Sequence, residues 1–130
     1  MSPQASKIIV DMNNFVGKER ARLVLNIHKE LTTTTPRDTS WAANNWVARI
    51  GTPSRSTVGS RDDIGGASSA SQASLAQVVG TLTAQTNNDG QDIFISNNVP
   101  YIRSLNDGHS KKAPVGFVQI GVAAGLAKST

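Results

Sequence analysis

The chain reads as an α+β domain: a small mixed or antiparallel sheet packed by about three helices, with one long Gly/Ser-rich loop or arm. Three observations predict this. Three stretches place apolar residues at the three-to-four spacing of a buried helix face, and two short stretches alternate apolar and polar as half-buried strands do. A length of 130 residues suits one domain, so residues 1–130 are read as a single unit.

The elements run in chain order. Ile8-Ile9-Val10 is a β-branched run that is either a strand or the lead into a helix, and Asn13 or Asn14 can cap a helix beginning just after them. A helix is expected from Phe15 to Thr33, with Val16, Arg20, Leu23, Val24, Ile27 and Leu31 on its buried face. The run Thr32 to Thr35 has poor helix propensity, and Pro36 biases Thr35 away from helical geometry, so the helix ends there. Asp38 or Thr39 can cap a short turn through Ala43. Trp46, Ala48 and Ile50 alternate with Val47 and Arg49, which predicts a strand from 45 to 51.

Residues 52–72 are dense in Ser, Gly, Thr and Arg, and the stretch 52–70 is expected to be an extended loop or arm. A second helix is expected from Ser71 to Thr83 on Leu75, Val78, Val79 and Leu82, with Ser68 or Ser71 as its cap. Asn87-Asn88-Asp89-Gly90 signals a turn. Gln91 to Ser96 reads as the second strand, with Ile93 and Ile95 opposite Phe94. Pro100 to Asn106 fits a short helix closed by Gly108. The last helix is expected from Val115 to Ala127, with Val118, Val122 and Leu126 inward. Two strands make a poor sheet, so a third is expected from the Ile8 region, from residues 52–60, or from a neighbouring subunit.

Composition narrows the function classes. Gly, Ser, Thr and Asn supply 46 residues and hydrophobic residues only 38%, below the usual share, so the core is modest. The absence of cysteine excludes disulfides, thiolate metal sites and cysteine catalysis. No apolar run is long enough to cross a membrane, and the first residues do not read as a secretory signal. The net charge of +4 permits a polyanionic partner, but the basic residues are scattered and form no block.

Catalytic constellations are weak. His28 and His109 lack the neighbouring ligands that a metal needs, and Asp62-Asp63, Asp89 and Asp92 lack EF-hand spacing. Asp107-Gly108-His109-Ser110 puts three triad residue types side by side, but a triad needs convergence in space, so a polar turn is the better reading. The Gly65-Gly66 pair belongs to no phosphate-binding motif. No cofactor or metal is expected. Trp46 is expected in the core, while Trp41 is equally placed for the core or an interface.

Two stretches carry a resemblance. The first is Thr35-Pro36-Arg37-Asp38-Thr39-Ser40 running into Asn44-Asn45-Trp46. The second is the near-continuous run Ile95-Ser96-Asn97-Asn98-Val99-Pro100-Tyr101-Ile102-Arg103-Ser104-Leu105-Asn106-Asp107-Gly108-His109-Ser110-Lys111-Lys112-Ala113-Pro114-Val115-Gly116-Phe117-Val118. They resemble tailed-phage tail-completion, neck and minor tail proteins, whose patterns are roughly TPVDTGRARANW and NNLPYAxxLExGxSxQAPxG. The chain departs from them at Ser40, where the family commonly has Gly, at Trp41 and Ala43, where Arg is common, at the acidic position, where Asn106 stands and Asp107 follows, and at Lys112, where Gln is usual. The two motifs cover about a third of the chain, and the second is the more specific.

The resemblance implies a structural virion protein of the head–tail junction, in a tail-terminator or neck role, that performs no covalent chemistry. It implies a homo-oligomer, most often a hexameric ring, with other neck, connector or tail-tube proteins as partners and assembly in the host cytoplasm. The motif residues it marks as structural are Pro36, Asp38, Thr39, Asn44, Trp46, Asn97, Asn98, Pro100, Tyr101, Leu105, Gly108, Ser110, Ala113, Pro114 and Gly116. Arg55, Arg61, Arg103, Lys111 and Lys112 are candidates for an interface or for a lumen that contacts genomic DNA. The rival expectation is a small basic nucleic-acid-binding protein acting alone. A hydrolase using His109 is a third reading, and it needs a pocket that the sequence does not predict.

Overall fold

A computed structural model describes residues 3–36, 40–84, 91–108 and 115–130, the side chain of Val10 excepted. The fold is α+β, with four helices and a two-stranded antiparallel sheet. Helix α1 spans Pro3–Thr34, strand β1 Val47–Ile50, α2 Ile64–Thr83, β2 Ile93–Ser96, α3 Ile102–Asn106 and α4 Phe117–Lys128.

Helix α1 is 32 residues long and begins well before Phe15. The Ile8-Ile9-Val10 run lies inside it, which decides between the two readings for helix over strand, and Asn13 and Asn14 are interior positions instead of caps. Pro3 suits a first-turn position, where a missing N–H costs nothing. At the other end the threonine hydroxyls bond back to the preceding turn: Thr32 to the His28 carbonyl at 2.9 Å, Thr33 to Lys29 at 2.9 Å and Thr35 to Leu31 at 2.6 Å. This back-bonding satisfies the hydroxyls inside the last turns before Pro36.

The buried face of α1 is Gly17, Ala21, Val24, His28 and Leu31. Val16, expected on it, is exposed, and Leu23 and Ile27 are half-buried. The face is rotated because Gly17 lets α2 approach closely: a Cβ there would lie 2.2 Å from the Leu82 carbonyl oxygen.

Helix α2 starts at Ile64, seven residues before the expected Ser71, and its cap is neither Ser68 nor Ser71. The Asp63 carboxylate accepts the Gly66 N–H at 2.9 Å and caps the helix, satisfying a donor that the first turn leaves open. Gly66 permits this approach, since a Cβ would sit 2.3 Å from the same carboxylate. The stretch 52–70, expected as one loop or arm, therefore divides at Asp63, and residues 64–70 are helical.

The strands pair in the register Val47↔Ser96, Ala48↔Ile95, Arg49↔Phe94 and Ile50↔Ile93. One core cluster joins Ala48, Ile50, Ile93 and Ile95 to Ala21 and Val24 of α1 and to Leu75, Val78 and Leu82 of α2. No third strand occurs among the described residues, so neither the Ile8 region nor the described 52–60 segment supplies one. Residues 51–63 instead run without helix or strand, and side-chain hydrogen bonds pin them to the sheet.

A second cluster is built on Leu31, Trp46 and Phe117, with Leu105 and Val122 against it. Helix α4 enters it with Phe117, Gly121 and Gly125 fully inward; of the expected face, Val118 and Val122 pack half-buried against the cluster, and Leu126, exposed, is corrected. Glycine decides the face, because only there can α4 meet α1 backbone to backbone. A Cβ on Gly125 would lie 2.6 Å from the Ile27 Cα, and one on Gly121 3.3 Å from the Leu31 Cα. Glu30 and Lys128 form an ion pair across the same contact.

Candidate functional site

The residues of the two motif stretches meet around Trp46. Pro36 is buried after α1, and the backbone turns through Ser40 at a φ of 60°. That is left-handed geometry, costly for a residue with a Cβ and cheap for glycine. Asn44 closes the following turn through its backbone N–H to the Ser40 carbonyl. The next side chain makes the long-range contact. Asn45 is 1% exposed, donates to the Trp41 carbonyl at 2.8 Å and accepts the Val58 N–H at 2.8 Å. It ties the 51–63 segment to β1.

Trp46 sits in the core, as expected. Its indole N–H donates to the Thr35 hydroxyl at 2.8 Å, which itself donates to the Leu31 carbonyl. Trp41 is half-buried, its ring 6.0 Å from that of Tyr101 at an interplanar angle of 55°. The first motif thereby touches the second.

In the second motif, Asn97 donates to the Ala42 carbonyl at 2.8 Å and accepts the Val99 N–H at 3.1 Å. Asn98 donates to the Ser54 carbonyl at 2.9 Å. Pro100 and Tyr101 form the turn before α3, and Leu105 packs on the Leu31–Trp46–Phe117 cluster. Gly108 has a φ of 106° and closes the end of α3. Gly116, at a φ of 77°, is the cap residue of α4. Asn106 fixes that start by accepting the Val118 N–H at 2.9 Å on its side chain and the Gly116 N–H at 2.8 Å on its carbonyl.

Asp38, Thr39, His109, Ser110, Lys111, Lys112, Ala113 and Pro114 lie outside the described residues. Arg55, Arg61 and Arg103 are exposed. Arg103 borders a shallow groove of 250 Å³ that also touches Trp46, Ile95 and Asn106. Among the described residues, no group of three His, Asp or Glu side chains could hold a metal ion. Asp63, one of the acidic residues considered for a cation, is the cap of α2.

The sequence places His28 only on a helix, and the structure makes it a core group. It is 1% exposed, with Nε2 2.9 Å from the Trp46 carbonyl oxygen and 3.1 Å from Ser71 Oγ. The pair resembles a base and a nucleophile, but its protons point the wrong way. The carbonyl only accepts, so Nε2 carries the hydrogen, and Ser71 donates to the same carbonyl at 2.7 Å. Both side chains are sealed from solvent. Burial lowers the His28 pKa, and the bond to Trp46 opposes the shift. A sequence signal for this exists: His28 lies beyond Gly17, Ala21 and Val24 at helical spacing on one face.

An exposed apolar stripe lies elsewhere, on α1. Ile8, Ile9, Met12, Phe15 and Val16 are all exposed, Phe15 by 65% and Met12 by 63%. They recur every three or four residues and form one stripe along the first half of α1. Ile120, Ala123, Leu126 and Ala127 are likewise exposed on the outer side of α4.

No family model, curated protein or solved structure matches this chain.

Proposed function

We propose that this chain is a structural virion protein of a tailed bacteriophage. In this reading it is the subunit of a homo-oligomeric ring at the head–tail junction, in a tail-completion or neck role. The observation that carries the reading is the use made of the motif residues. Asn97, Asn98, Gly108 and Gly116 close turns, cap a helix and stitch segments together, and Trp46, Tyr101 and Leu105 pack. These are the duties of a scaffold, and none of them presents a reactive group.

Ser40 supports the same reading. It occupies the motif position where the resembled family commonly has Gly, and its backbone is left-handed, which gives that preference a physical reason. The uncovered stripe on α1 supports assembly, because apolar patches of this kind mark protein contacts. The ring subunits meet head to tail and close by rotation. Exposed Arg55, Arg61 and Arg103 are available to a lumen that passes DNA.

Light scattering after size exclusion, with negative-stain microscopy of the full chain, tests the proposal. Ring-shaped particles are the expected result. A monomer at every concentration that binds DNA with an affinity falling steeply with salt overturns it in favour of the nucleic-acid-binding reading.

A further inference from the structure

Helix α4 is built almost wholly of apolar and small residues, with Gln119 and Lys128 its only polar side chains. One side of it is closed against α1 through Gly121 and Gly125. A helix that is apolar all round is normally buried all round, yet its other side, with Ile120, Ala123, Leu126 and Ala127, is exposed. The chain therefore carries two different uncovered apolar helix faces, this one and the α1 stripe.

We infer that the α1 stripe of one protomer docks on the outer face of α4 of the next copy, making α1–α4 packing the head-to-tail contact of the assembly. This rests on the ring reading above and names its interface.

Four observations favour a second copy as the occupant. The stripe continues the side of α1 that bears Leu23 and Ile27, the side on which its own α4 already packs, so the new contact extends an existing helix pair. The lengths agree: the stripe from Ile8 to Val16 runs about 12 Å and the α4 face from Ile120 to Ala127 about 11 Å. The shapes are complementary, since Ile8, Met12 and Phe15 are large while Ala123 and Ala127 are small and leave room for them. The stripe exposes on the order of 500 Å² of apolar surface, at the upper end for a monomer. One stripe and one α4 face together supply at most about 1,000 Å², the low end for a specific interface, and ring closure repeats the contact at both ends of each protomer. A symmetric α1–α1 contact would leave the α4 face in water, whereas one heterologous contact covers both.

Complementation of two interface variants tests the inference. Phe15→Glu blocks the stripe and Ile120→Glu blocks the α4 face; both sites are exposed, so circular dichroism should match the parent chain, and Met12→Glu gives a second stripe variant. Each variant alone should be monomeric, with association weakened roughly tenfold to hundredfold. The equimolar mixture of Phe15→Glu and Ile120→Glu should form dimers and stop, because only one intact stripe meets one intact α4 face. If Ile120→Glu still self-associates, or the mixture stays monomeric, the α1–α4 contact is wrong. If the parent chain forms rings that neither substitution disturbs, the ring reading stands and this interface falls. If the parent chain is a monomer at all concentrations, both fall.

Discussion

Ser40 holds a left-handed backbone without the residue type that suits it. Ser40→Gly should raise the unfolding free energy by about 0.5–1 kcal/mol, the strain relieved less the extra chain entropy of glycine; denaturant titration reads the shift. His28 gives a pH dependence of definite sign. Its folded pKa lies below the ordinary value near 6.5. Between the two values the unfolded chain binds more protons, so stability rises with pH there. The His28 contribution is complete above about pH 6.5 and is lost as pH falls towards the lowered folded value. Unfolding free energies at pH values from about 7.5 down to about 5 should therefore slope downward in the parent chain, and the slope should be shallower in His28→Gln. Equal slopes would mean that His28 is not buried as a neutral ring.

Glycine sets the close helix contacts, and its effect depends on place. Gly125→Ala should destabilise by about 1–3 kcal/mol, because the new methyl meets the α1 backbone. Gly80→Ala, on the exposed side of α2 with open space around it, should stabilise by about 0.5–1 kcal/mol. Thermal melts of the two variants moving in opposite directions would establish the contrast. The same elements show what the sequence could disclose. Both strands, the end of α1 before Pro36 and the turn at Gly108 were legible because alternation, Pro and Gly act locally. The start of α2 was obscured by Gly65-Gly66, whose poor helix propensity hid the cap at Asp63. On α4, Val118 and Val122 were legible, but the fully buried Gly121 and Gly125 were missed because periodicity weights large apolar residues, whereas packing against α1 selects the positions without a side chain. The role of Asn45 over Asn44 depends on a partner 13 residues away, Val58, which no local pattern indicates.

For the whole molecule, the two clusters follow one another along the buried face of one continuous element. Helix α1 gives Ala21 and Val24 to the cluster with α2 and the sheet, and Leu31 to the cluster with Trp46 and Phe117. The modest apolar content is concentrated there, and the small polar residues fall mainly in connectors and at the two motifs. If the subunit contact is the apolar one inferred above, assembly should persist in about 1 M salt, where charge–charge attraction is screened within a few ångströms. Light scattering of the full chain across a salt series reads this directly, and dissociation into monomers at high salt would point instead to an ionic interface. Gly17 has a further mechanical consequence. It is the first buried position described along α1, and it is where α2 bears on that helix. The preceding turns therefore form a stiff lever about 21 Å long with its fulcrum at a single residue. A few degrees of tilt at that crossing moves the tip by more than an ångström, so the backbone packed at Gly17 sets the angle at which this arm is presented.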